Sequence, residues 1–145
     1  MAQTETVKRI KEKLSEIVRF GDELVEVLPD KYEEYAEDFK ARSASERIFE
    51  KIVMAIVDVS FLLVKERNLS APEEEGEVFS ILSEAKILGF ELASRLKDAK
   101  GMRNILAHEY GEINNELVYN SLSEEIVRDT DEFCECVNRA LSFLV

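Results

Sequence analysis

The sequence predicts an all-α protein: an antiparallel four-helix-type bundle with extra short helices, expected to pair as a homodimer. Three observations carry this. Apolar residues recur at steps of three and four along most of the chain, the spacing that gathers them on one face of a helix. No segment keeps up the two-residue alternation of a half-buried strand. Gly (5) and Pro (2) are scarce among 145 residues, which leaves few sharp turns. Residues 1–145 form one domain, long enough to bury a core without a disulfide or a metal.

The first predicted helix runs from Thr4 to Leu28. Val7, Ile10, Leu14, Ile17, Gly21, Leu24 and Leu28 make its apolar seam. Gly21 on that seam would admit a neighbouring backbone. Pro29 ends the helix, and Asp30 is expected to cap a short second one with Tyr32, Tyr35, Ala36 and Phe39 as its stripe. Ser43 or Ser45 is expected to cap the third, "ERIFEKIVMAIVDVSFLLVKERN". Between Ile48 and Val64 it is apolar on nearly every side, so it needs cover on several faces, at the bundle centre or a subunit interface. Asp58 in its middle is costly unless paired. A bond to a neighbouring helix is the expectation, and lining a site is the other reading.

"NLSAPEEEGE" is a loop and helix start, with Pro72 and acidic residues suited to the positive helix end. A helix over 74–85 follows. The next, over 89–100, has Phe90, Leu92, Ala93 and Leu96 as its apolar residues, and Gly101 is placed like a C-cap. A separate helical stretch then carries residues 103–110. "GEINN" is a turn, with Asn114 or Asn115 as cap. The last helix uses Val118, Leu122, Ile126, Phe133, Val137, Leu141 and Leu144.

Charge and cysteines narrow the function. The net charge of −12 argues against a general nucleic-acid-coating role. Locally the sign reverses: Arg95, Lys97, Lys100 and Arg103 face only Asp98, four cations against one carboxylate. Cys134 and Cys136 are too few for a zinc site and read as thiols in a reducing compartment. No metal or other cofactor is expected. The N-terminus is charged and lacks an apolar signal core, and no apolar run reaches the roughly 18 to 20 residues of a membrane span. The expectation is a soluble cytoplasmic protein with no membrane partner.

One stretch stands apart: "GMRNILAHEYGE". The single histidine, His108, lies here with Arg103, Asn104 and Tyr110. An imidazole can take or give a proton near neutral pH. A guanidinium can hold a phosphate by two parallel bonds. Asn104 can orient either group, and Tyr110 offers a ring face and a hydroxyl. Together they suit cleavage of RNA by its own 2′-hydroxyl, with no metal. On an ideal helix, however, Arg103 and His108 lie about 140° apart, whereas Asn104 and His108 share a face. Either the backbone is irregular near Gly101 to Arg103, or two copies meet at the site and supply two imidazoles. A capped surface helix with an incidental His stays open at this point.

Arg103, Asn104, His108 and Tyr110, as R-N-x-x-x-H-x-Y, resemble the signature of HEPN-domain ribonucleases, and more narrowly the HepT-like toxin branch. The likeness extends through "SASERIFEKIVMAIVDVSFLLVKE" and "FSILSEAKILGFELASRLKDAKGMRNILAHEYGEINNELVY". The resemblance implies the toxin of a type II toxin–antitoxin system, an all-α dimer that cleaves RNA without metal. Arg103 and His108 would be catalytic and Asn104 supporting. An MntA-like nucleotidyltransferase antitoxin would neutralise it by transferring AMP to Tyr110. The overall acidity departs from an RNA binder, so the stretch from Arg95 to Arg103 with Lys97 and Lys100, and with Lys40, Arg42 and Arg47 expected nearby in space, is the candidate basic rim. The competing functions are a helical dimer that serves the nucleotidyltransferase as partner or substrate with little ribonuclease activity, and a purely structural bundle.

Overall fold

Thr4 starts the first helix as its sequence predicts: its hydroxyl oxygen accepts from the Val7 amide at 3.0 Å. The computed structural model describes residues 4–108 and 113–142. Helix α1 (Glu5–Val27) buries Val7, Ile10, Leu14, Ile17 and Leu24, the predicted seam without Gly21 and without Leu28, which is the half-buried C-cap. A Cβ built on Gly21 meets nothing within 4 Å, so no neighbouring backbone uses the gap. Gly21→Ala is therefore expected to stabilise the fold by about 0.5–1 kcal/mol through helix propensity. Thermal unfolding should show a midpoint roughly 2–4 °C higher; a lower midpoint would mean the gap serves another surface.

Two caps differ from expectation. Helix α2 (Tyr32–Glu37) has Lys31, not Asp30, at its N-cap and no side-chain bond there. Helix α3 (Phe39–Glu66) begins ahead of Ser43, because Asp38 Oδ1 accepts from the Lys40 and Ala41 amides, both at 3.1 Å. A carboxylate there satisfies two orphan donors at once and leaves both serines inside the helix. Phe39 consequently leaves the α2 stripe and is 65% exposed.

α3 is the centre of the bundle, packed by α1, α2, α4 and α5. It buries apolar residues from Ile48 to Val64 and leaves a narrow exposed seam at Met54, Asp58 and Phe61. Asp58 is half exposed and pairs with Lys13 of α1 at 3.3 Å, the structural role expected of it. The Thr4 hydroxyl donates to Glu66 at 3.2 Å. Thr4 against Glu66 and Lys13 against Asp58 fix α1 and α3 as antiparallel.

α3 stops without glycine. Asn68 takes the left-handed conformation (φ 54°) and the Leu69 amide reaches back to Val64 O at 2.9 Å. After a 3₁₀ turn (Glu75–Glu77) and α4 (Val78–Glu84), Lys86 (φ 63°) repeats the device, with the Ile87 amide on Leu82 O at 2.9 Å. Helix α5 (Phe90–His108) then runs unbroken through Gly101, which corrects the predicted C-cap. The helix continues there because Leu106, one turn further on, still buries against the core. Asn114 Oδ1 accepts from the Glu116 and Leu117 amides and caps α6 (Asn115–Asn120). A π-helical turn (Ser121–Glu125) joins α6 to α7 (Ile126–Ser142), so the predicted last helix is jointed.

The long helices close a ring, α1 on α3, α3 on α5, α5 on α7 and α7 on α1. The Arg67 guanidinium at the end of α3 donates to Ala140 O near the end of α7 at 3.1 Å, so those two helices run in one direction. Phe49, Phe79 and Phe133 fill the core. Cys134 and Cys136 form no disulfide, and burial pushes the Cys134 thiol up to about 11, so it is protonated at neutral pH. Among the described residues no helix is long and apolar enough to cross a membrane.

Candidate functional site

Helix α5 carries the site because its two faces differ. Leu92, Ala93, Leu96 and Leu106 are buried, while Lys97, Gly101 and His108 are exposed and Asn104 is half-buried. Arg103 is half-buried. Its Nη1 donates to Asn104 Oδ1 at 3.0 Å. Asn104 and His108, four residues apart on the unbroken helix, are neighbours on one face. The helix is continuous through Gly101 and Arg103, so the irregular backbone expected there is absent.

Asn104 Oδ1 thereby holds the guanidinium of its neighbour. The Arg103 Nε is buried and meets no acceptor among the described residues. His108 is the exposed last residue of α5. Tyr110, the expected modification point, lies outside the described residues. Tyr119 on α6 fixes the chain's return after this segment. Its hydroxyl donates to Pro29 O at 2.7 Å, and its ring packs on Tyr32 and Tyr35 at 5.8 and 5.2 Å. The sequence reading passed over Tyr119; the tyrosines at 32 and 35 were the available signal.

The expected basic rim divides. Lys97 is exposed, Lys100 half-exposed, and Arg47 exposed on α3. Arg95 is different: its Nε donates to Asp129 at 2.8 Å and its Nη2 to Glu132 at 2.7 Å. Its charge is committed to clamping α5 onto α7 rather than held open for a phosphate, and the Asp129 hydrogen bond raises its pKa above the usual arginine range. Arg42, also named from sequence, donates to the Tyr35 and Ala36 carbonyls at the end of α2. Beside Gly101 lies a hollow of about 590 Å³, lined by Met102, Ile105, Leu106, Ile113, Leu117 and Val118 and edged by Lys97, Asp98 and Asn114. Among the described residues, no group of three or more His, Cys, Asp or Glu side chains is placed to hold a metal ion.

The Ribonuclease HepT-like family profile matches residues 10–137. The chain belongs to the HepT-like family. A curated HepT-like relative, the tRNA nuclease HepT of Aphanizomenon flos-aquae, is 27% identical over 114 residues, 79% of this chain and 78% of that protein. The mRNA nuclease HepT of Shewanella oneidensis is 21% identical over 104 residues, 72% of this chain and 77% of that protein. A solved tri-AMPylated HEPN toxin of Shewanella oneidensis, in complex with an MNT antitoxin, superposes with a TM-score of 0.86 at 20% identity, covering 94% of this chain and 99% of that one. That likeness establishes the shared HepT-like fold.

Proposed function

We propose that this HepT-like chain is the toxin of a toxin–antitoxin pair and a metal-independent endoribonuclease. The observation that carries the reading is the Arg103 to Asn104 bond, which ties the guanidinium to the residue that shares a helix face with His108. A base removes the proton of an RNA 2′-hydroxyl, whose oxygen attacks the adjacent phosphorus. The bond from phosphorus to the 5′-oxygen breaks, an acid protonates that oxygen, and a 2′,3′-cyclic phosphate remains. Arg103 stabilises the charge on the pentavalent phosphate.

One imidazole per chain supplies either the acid or the base. A second copy whose His108 faces the same cleft would bring the other. The test is cleavage of RNA by the unmodified protein in chelator, with loss in both Arg103→Ala and His108→Ala. Wild type that cleaves nothing when expressed without a partner would sink the reading and leave the alternative, a helical dimer that is mainly a nucleotidyltransferase's substrate.

The partner in this reading is an MntA-like nucleotidyltransferase. Its reaction joins the Tyr110 hydroxyl to the α-phosphate of ATP and releases pyrophosphate. Added AMP would place bulk and negative charge two residues from His108 and repel substrate phosphates. Incubation with that enzyme and ATP should add AMP-sized increments to the intact mass, absent in Tyr110→Phe. Increments that survive the substitution would move the modification elsewhere.

A further inference from the structure

Phe90 has no structural reason to face water. It opens α5, yet it is 80% exposed, the most exposed large apolar side chain among the described residues. The sequence assigned it to the apolar stripe with Leu92 and Leu96. Helix phase explains the difference and gives it a setting. At about 100° per residue, Phe90, Ser94, Lys97, Gly101, Asn104 and His108 fall in one stripe about 80° wide. All six are exposed except the half-buried Asn104. The stripe leads from the proposed cleavage site back along the helix for about 27 Å.

At its far end lies a cavity of about 310 Å³ between α4 and α5, lined by Phe90, Ser94, Lys97, Ser80, Ser83 and Glu84 with Ala93 at its floor. Its chemistry is that of a nucleotide subsite. Phe90 offers a flat face on which a base can stack, and base–aromatic stacking tolerates any sequence. Three serine hydroxyls can donate or accept. The Glu84 carboxylate repels phosphate and accepts from the amino edge of a base, so the base rather than the phosphate belongs inside. Lys97 lines both this cavity and the apolar hollow beside Gly101, where a backbone passing between them would run.

We infer that the exposed stripe of α5 is a track for single-stranded RNA, with Phe90 and the serine-lined cavity as a base-stacking subsite several nucleotides from the scissile phosphate and Lys97 as a phosphate contact between them. This rests on the ribonuclease reading and names how that site holds its substrate. A strand along the track also answers the chain's acidity: capture depends on a local lysine and an aromatic face, not on net charge.

The experiment uses full-length unmodified protein and two substrates, a labelled mixed-sequence single-stranded RNA long enough to reach Phe90 and a dinucleotide confined to the cleavage site. Phe90→Ala should raise KM for the long RNA about 5- to 100-fold, with kcat little changed and dinucleotide cleavage unaffected. Phe90→Tyr should restore it. Lys97→Ala should weaken binding of the long RNA and lower its salt dependence by about one counterion. An unchanged KM in Phe90→Ala would overturn the track. So would a Phe90→Ala protein whose light scattering reports lost dimerisation, since the face would then belong to a second copy. Wild type that cleaves no RNA would sink the ribonuclease reading alone. Anisotropy with the same labelled RNA then decides the track, which fails if Phe90→Ala binds as wild type does.

Discussion

His108→Ala should lower RNA cleavage by about 10²- to 10⁴-fold, the range over which a positioned proton donor or acceptor acts. Thermal stability should hardly move, because His108 is the exposed terminal residue of α5. Arg103→Ala should cost a comparable factor through lost phosphate stabilisation. The separating measurement is a mixture. If acid and base come from two copies, a dimer with one His108 and one alanine is dead. Equal parts of wild type and His108→Ala, unfolded and refolded together, would then retain roughly a quarter of the activity. If each imidazole works alone, roughly half remains. A linear fall with wild-type fraction would remove the shared site while leaving the ribonuclease reading in place.

The second large effect is on stability. Arg95→Met should destabilise the fold by about 2–3 kcal/mol, less than a fully buried pair would because the arginine is partly solvated. For a chain of this size the midpoint should fall by roughly 5–10 °C. The cost arises at Asp129, whose side chain is 5% exposed and would keep only the 3.2 Å contact with Arg128. Replacing both partners, Arg95→Met with Asp129→Leu, should recover most of the loss, since an apolar pair leaves no uncompensated charge. A rim residue would behave differently: KM for RNA would rise while the midpoint stayed put.

The fold was largely legible because helix periodicity survives in a single sequence. The α1 seam, the all-round apolar character of α3 and the Asn114 cap all stand where the residues place them. One miss is a matter of burial. Glycine was read as a stop signal at Gly101, where burial of Leu106 carries the helix on, while the chain makes its left-handed stops at Asn68 and Lys86. Local propensity is a weak prior beside tertiary burial. At the site, residue types were legible but reach was not. Helix angles separate Arg103 from His108, and the bond from Arg103 to Asn104 was not legible in them. Arg95 looked like part of a basic run because its carboxylate partners lie 34 and 37 residues away.

The unbroken course of α5 sets how such an enzyme can be switched. Its reacting groups ride a stiff rod, pinned by core leucines on one side and by the Arg95 clamp on another, with no hinge between residues 90 and 108. Bending that rod would cost the core its packing, so an antidote has little to gain from distortion. In the proposed reading it acts as a plug. A plugged catalyst stays folded and fully assembled, so its dormancy is stored in a removable cover rather than in a damaged shape. Activity would return at the pace of uncovering, without a refolding delay.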